Sequence, residues 1–242
     1  MRLATVKHCS AGKNNTCVKV LDFPAMRIVA VETPTHGRVI IRDSGVSSRS
    51  SPLWVVGFHG YGQNAEDMMA ELELIPGSEQ RTLVSVQALH RFYTKSEKIV
   101  ANWMTRQDRE FAIEDNIAYI DRTLDTILPA DNVPQLVFVG FSQGVAMAYR
   151  AAVRGSRRPR RIIAIGGDVP PELKTASGGA FPSVLIAAGE SDPWYASAKL
   201  EADLDVLRSL GVEVDVFRYA GAHEFTPELR QRIHQVLEQV LE

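Results

Sequence analysis

Ser142 stands in Gly140-Phe141-Ser142-Gln143-Gly144, after the apolar run Gln135–Val139 and before the small-residue run Val145–Tyr149. That order predicts a strand, a sharp turn and a helix. A serine at such a turn is held in a strained backbone conformation with its hydroxyl above the sheet edge, and the flanking glycines let the two backbones pass closely. The hydroxyl is a weak nucleophile until an imidazole takes its proton, and the imidazole needs a carboxylate to fix its tautomer and stabilise its cation. On a parallel sheet these groups gather at the C-terminal ends of the strands, in the chain order serine, acid, histidine.

Beyond Ser142 the chain holds two histidines, His223 and His234. His223 lies in Tyr219-Ala220-Gly221-Ala222-His223, a small-residue loop leaving the last predicted strand, and is the candidate base. His234 falls inside the last predicted helix beside the stripe Leu229, Ile233, Val236, Leu237 and Val240, a surface or boundary position. Two aspartates compete as the acid, Asp168 after Ile165-Gly166-Gly167 and Asp192 after Gly189-Glu190-Ser191. Asp192 is favoured, because it follows the longer strand and a tight turn, and Pro193 stiffens the backbone after it.

An acyl-transfer intermediate needs two N–H donors aimed at its oxygen, one from the residue after the nucleophile and one from an earlier strand-end loop. Gln143 and Tyr61 fill those places, the latter in the glycine-flanked loop His59-Gly60-Tyr61-Gly62. Trp103, Met104, Trp194 and Tyr195 are candidate substrate-binding residues that composition alone does not separate from core. About 25 residues separate the strand ending at Ile165 from the acid, too few for a large lid.

The elements that must position these groups follow from periodicity. Arg27–Glu32 and Arg38–Arg42 read as a hairpin across Pro34-Thr35-His36-Gly37. Strands are expected at Leu53–Phe58, 83–88, Arg161–Ile165, Val184–Ala188 and Glu213–Tyr219, and helices over 64–73, 109–128, 197–210 and from Pro227 to Leu241. Continuous apolar strands alternating with helices predict an α/β fold, a mostly parallel sheet covered on both faces. Residues 1–25 read as an irregular extension and 26–242 as one catalytic domain, since 242 residues with 45% hydrophobic and 23% charged content suit a single core.

A net charge of −2 supplies no basic field for phosphates, so nucleic acid is not an expected partner. Lys7 and His8 interrupt the place of a signal-peptide core, and no segment approaches about 18 apolar residues. A cytoplasmic protein without stable membrane insertion is expected. Cys9 and Cys17, the two cysteines, match no metal spacing and read as reduced thiols. Neither a metal nor an organic cofactor is expected, and a homodimer is left open.

The sequence resembles the α/β-hydrolases of the phospholipase/carboxylesterase group that includes the acyl-protein thioesterases. The resemblance runs from about Arg38 to the C-terminus. It rests on Phe58-His59-Gly60-Tyr61-Gly62, on Gly140 to Ala148, on Gly189-Glu190-Ser191-Asp192 and on Gly221-Ala222-His223. It implies Ser142, Asp192 and His223 as a catalytic triad, with Tyr61 and Gln143 at the oxyanion hole. Asn102-Trp103-Met104 and Asp192-Pro193-Trp194-Tyr195 depart from the group's usual pocket pattern. The expected activity is hydrolysis of carboxylic esters, lysophospholipids or thioesters through an acyl-enzyme. The same triad serves an acyltransferase or small-peptide hydrolase, and a non-catalytic binding protein would be expected to have lost Ser142 or His223.

Overall fold

Strands whose residues are apolar on both sides need cover on both faces, and the chain builds that arrangement. The computed structural model describes residues 21–23, 26–45, 53–131 and 133–241. Two units divide at His36. In the first, β1 (Leu21–Phe23) pairs antiparallel with β2 (Met26–Ile28).

The second unit, from Gly37, runs β3 (Arg38–Arg42), β4 (Leu53–Phe58), α1 (Ala65–Glu73), β5 (Thr82–Gln87), β6 (His90–Tyr93), β7 (Ile99–Asn102), α2 (Arg109–Ile127), β8 (Gln135–Phe141), α3 (Gln143–Arg154), β9 (Arg161–Ile165), β10 (Ser183–Gly189), α4 (Ser197–Ser209), β11 (Val214–Tyr219) and α5 (Pro227–Gln239). Seven strands form one sheet in the order β11-β10-β9-β8-β4-β5-β3. β3 is antiparallel to β5, and every other neighbour is parallel.

Successive strand residues alternate between the two faces, so each run feeds two cores. Val56, Phe58, Phe138, Ile162 and Ile186 pack under α2, α3 and α4, through Ile120, Leu124, Met147, Ala148, Leu200 and Leu204. Leu53, Val55, Val137, Ile163 and Leu185 pack under α1 and α5, through Met68, Leu72, Leu229, Ile233 and Val236. The helix starts are written locally. Asn64 and Asp67 form a reciprocal capping box at α1, and Thr226 accepts from the Leu229 amide ahead of Pro227 at α5, each cap contributing about 1 kcal/mol. Thus the mostly parallel, two-face-covered α/β sheet expected from the sequence is the observed architecture.

Two local expectations differ. Arg27–Glu32 does not form a hairpin with Arg38–Arg42: β2 ends at Ile28 and pairs with β1, while β3 takes the open edge of β5. β5 is a fully buried six-residue strand, and pairing along it satisfies five residues of β3 at once. The antiparallel ribbon β6–β7, with His90 opposite Asn102 and Tyr93 opposite Ile99, has no counterpart in the sequence reading. Three of the four β6 residues are exposed, so its side chains carry no buried-strand signal.

Candidate active site

The turn between β8 and α3 holds Ser142 at φ 53° and ψ −121°, a left-handed region costly for any residue with a Cβ. It persists because its surroundings leave no alternative. The Ser142 amide donates to the Ile165 carbonyl at 2.9 Å, and the Val145 amide donates back to the Ser142 carbonyl at 3.0 Å. A methyl at Gly140 would lie 2.6 Å from Val145 Cα, and one at Gly144 would lie 2.0 Å from the Phe58 carbonyl oxygen. Glycines are thus what allow α3 to turn back over β8 and cross the end of β4.

His223 and Asp192 meet across two different strand-end loops. His223 Nδ1 lies 2.7 Å from Asp192 Oδ2. The carboxylate can only accept, so Nδ1 carries the proton, and in the neutral tautomer this leaves Nε2 its lone pair. Asp192 is buried, and its other oxygen, Oδ1, accepts from the Trp194 amide at 2.8 Å and the Tyr195 amide at 2.9 Å. Burial pushes the Asp192 carboxyl up, but the bonds from His223, Tyr195 and Trp194 outweigh it and hold the group below its ordinary range. The Phe141 ring lies 4.8 Å from the imidazole, centre to centre.

Gly166, at φ 60°, closes the floor of this pair. A methyl there would sit 3.0 Å from both Asp192 Oδ2 and His223 Nδ1. Beside it, a methyl on Gly167 would meet the Ser142 carbonyl oxygen at 2.4 Å. The loop after β9 therefore touches the elbow and the Asp–His pair together. Among the described residues the Ser142 hydroxyl makes no hydrogen bond. Asp168, the competing aspartate, is half exposed and pairs at 3.3 Å with Lys199, away from His223. His234 lies on α5, 3.8 Å from Glu238.

The loop after β4 is braced from several sides. A methyl on Gly60 would lie 3.2 Å from Ser142 Cβ, so the loop abuts the nucleophile position. The Gly60 amide donates to Gln63 Oε1 at 2.7 Å, and Gly62 donates to the Ala101 carbonyl at 3.1 Å. His59 is fully buried. Its Nδ1 donates to the Gly60 carbonyl at 2.7 Å and its Nε2 accepts from the Ala88 amide at 3.0 Å, which defines a neutral imidazole. Burial lowers its pKa below the ordinary value, against a smaller opposing effect of the Gly60 carbonyl. Gln143 is the first residue of α3, so its amide has no acceptor within the helix. The positive end of the helix dipole falls at the same place. No hydrogen bond among the described residues engages the Tyr61 amide, and the Tyr61 ring lies 5.6 Å from that of Phe92 on β6, centre to centre, tilted by 35°.

The four pocket candidates separate by burial. Trp103 and Tyr195 are buried in the core. Trp103 Nε1 donates to the His59 carbonyl at 2.8 Å, and Tyr195 OH donates to Asp203 at 3.2 Å. Met104 is half-buried, its carbonyl accepting from Gln143 Nε2 at 3.1 Å, and Trp194 is 71% exposed. The Gln143 side chain also accepts from the Trp103 amide at 2.9 Å, which ties the elbow to the segment after β7. Gln63, Gly166 and Gly167 were not singled out from sequence. The roles of Gly166 and Gly167 depend on contacts with other strand-end loops, where the one available signal was the glycine pair itself, whereas Gln63 acts locally on the Gly60 amide. Among the described residues no group of three His, Cys, Asp or Glu is gathered to ligate a metal, and no helix is long and apolar enough to cross a membrane.

A family model described as phospholipase/carboxylesterase matches residues 47–241. No curated protein sequence matches the chain significantly. Among solved structures, the chain is similar to esterase PE8 at 23% identity and TM-score 0.64, covering 85% of this chain and all of that one. It is similar to acyl-protein thioesterase 2 of Zea mays at 19% identity and TM-score 0.66, over 86% of this chain and all of the other. The Bacillus cereus carboxylesterase matches at 19% identity and TM-score 0.62, over 84% and 94% of the two chains.

Proposed function

This chain belongs to the phospholipase/carboxylesterase family, and from that premise we propose that it hydrolyses carboxylic esters or thioesters with Ser142 as nucleophile, His223 as base and Asp192 as the acid that orients His223. The observation that carries this reading is the 2.7 Å contact between His223 Nδ1 and buried Asp192 beside a serine held at positive φ.

With Nδ1 protonated, Nε2 takes the Ser142 proton as Oγ attacks the substrate carbonyl carbon. The negative oxygen that forms accepts from the Tyr61 and Gln143 amides, each such donor lowering the barrier by about 3 kcal/mol. Collapse breaks the bond to the alcohol or thiol, which leaves with the proton from His223 Nε2. Water then gives its proton to Nε2, adds to the acyl-serine, and the acid departs as Ser142 regains its proton. Met104 and the exposed Trp194 are the proposed walls of the substrate site, with Trp103 and Tyr195 supporting them from the core.

The test is a panel of p-nitrophenyl esters of increasing chain length, run beside a lysophospholipid and an acyl-thioester, on wild type and Ser142→Ala. Wild type is expected to turn over at least one class and to be labelled by a fluorophosphonate probe. Ser142→Ala is expected to lose on the order of 10⁴-fold or more in kcat, with its fold intact and no labelling. A labelled or near-wild-type Ser142→Ala protein would remove the serine mechanism.

A further inference from the structure

Asp203, on α4, is a buried carboxylate that no step above uses. It collects donors from three segments. Oδ2 accepts from the Val169 amide at 2.9 Å and from the Tyr195 hydroxyl at 3.2 Å, and Oδ1 accepts from Lys174 Nζ at 3.1 Å. A charge removed from water is a net cost unless such partners surround it, and an apolar side chain would fill the same space more cheaply. What the carboxylate adds is a geometric tie between loops.

Those loops are the ones that frame the Asp–His pair. Tyr195 follows Asp192 by three residues, and its amide is one of two donors to Asp192 Oδ1. Its buried ring is anchored at the far end on Asp203, so the hydroxyl bond sets how far the turn 192–195 can move. Val169 closes the loop that begins at Gly166, the residue packed under Asp192 Oδ2 and His223. One carboxylate thereby clamps the acid loop and the floor beneath it to the same helix.

We propose that Asp203 is a positioning residue that holds Asp192 in register with His223, through Tyr195 on one side and Val169 on the other. The proposal rests on the triad reading above. Tyr195→Phe removes a single oxygen and leaves the ring, the two amide donors and the Val169 and Lys174 bonds in place. Asp203→Asn keeps the shape and removes the charge.

The experiment measures kcat and KM on p-nitrophenyl acetate for full-length Tyr195→Phe, Asp203→Asn, Asp192→Asn and the double variant Tyr195→Phe/Asp192→Asn, with circular dichroism to show that each is folded. Tyr195→Phe and Asp203→Asn are expected to lose on the order of ten-fold in kcat with KM within about two-fold of wild type. In the Asp192→Asn background, Tyr195→Phe is expected to cost less than about two-fold more, because a residue that acts through Asp192 has nothing left to position. Wild-type kcat in both Tyr195→Phe and a folded Asp203→Asn, with Asp192→Asn crippled, overturns the positioning role and leaves the triad standing. Equal losses from Tyr195→Phe in both backgrounds mark general loosening and overturn it too. Near-wild-type turnover by Asp192→Asn removes the triad reading and this proposal with it. If Asp203→Asn does not fold, the Tyr195→Phe pair decides alone.

Discussion

Asp168 and Asp192 are the same chemical group at the ends of adjacent strands, and their surroundings give them different work. Asp192 has lost its water to His223 and two amides, whereas Asp168 keeps most of its solvent and a lysine at 3.3 Å. Asp192→Asn is therefore expected to lower kcat by ~10⁴, since the imidazole no longer has a carboxylate to fix its tautomer. Asp168→Asn is expected to leave kcat within a few-fold and stability within about 1 kcal/mol, the range of an exposed ion pair. Steady-state kinetics with thermal melts on both variants checks this; an inactive, folded Asp168→Asn would reverse the assignment. His59 adds a pH dependence. Its folded pKa is depressed below the unfolded value of about 6.5, so between the two the unfolded chain binds more protons. Its contribution is present above that pH and is lost as pH falls through the window, by up to about 1.4 kcal/mol per unit. Urea denaturation of wild type and His59→Gln from pH 7.5 to 5 should show a shallower slope in the variant. Parallel slopes would show that His59 does not titrate between the two states.

At the level of elements, what the site requires is that loops from different strands arrive together. The loop after β9 makes this demand most sharply, because a Cβ on Gly166, already at φ 60°, would lie 3.0 Å from Asp192 and His223 and push them aside by a few tenths of an ångström. Gly166→Ala combines a left-handed backbone, costing roughly 1–2 kcal/mol, with displacement of the Asp–His pair. The expected outcome is a kcat loss of on the order of 10²-fold, larger than the accompanying loss of stability would produce. Kinetics at a temperature well below the melting point tests it, and full activity in a folded Gly166→Ala protein would mean that the floor is not close-fitting. The buried strands were legible because each is a continuous apolar run, and α1 and α5 because their apolar residues recur at helical spacing. The β6–β7 ribbon was not, since its exposed residues are chosen by their solvent face and by partners that the chain brings up from elsewhere.

For the whole molecule, the sheet, both cores and every proposed catalytic group lie within the unit that begins at Gly37, and the family match begins at residue 47. We therefore expect a chain lacking residues 1–25 to fold cooperatively and to keep kcat on a short-chain ester within about two-fold of the full chain, since no proposed site residue is removed. Loss of folding or activity on that truncation would make the segment part of the catalytic unit.

The sequence by itself determined the class of fold, through apolar strands alternating with helices, and the elbow, through a serine between glycines at a strand-to-helix junction. These are local signals, read within about ten residues of the atoms they describe. It also narrowed the base to His223, because chain order left few histidines. Tertiary structure alone decided which aspartate meets that histidine, which aromatic residues are core and which face solvent, that Gly166 packs beneath the Asp–His pair, and that Asp203 accepts from the Val169 amide. Two of the bonds that hold the site join residues 30 or more apart, Asp192 with His223, 31 apart, and Val169 with Asp203, 34 apart. Spacing along the chain carries no record of such meetings; the packed sheet, which brings the strand ends to one edge, creates them.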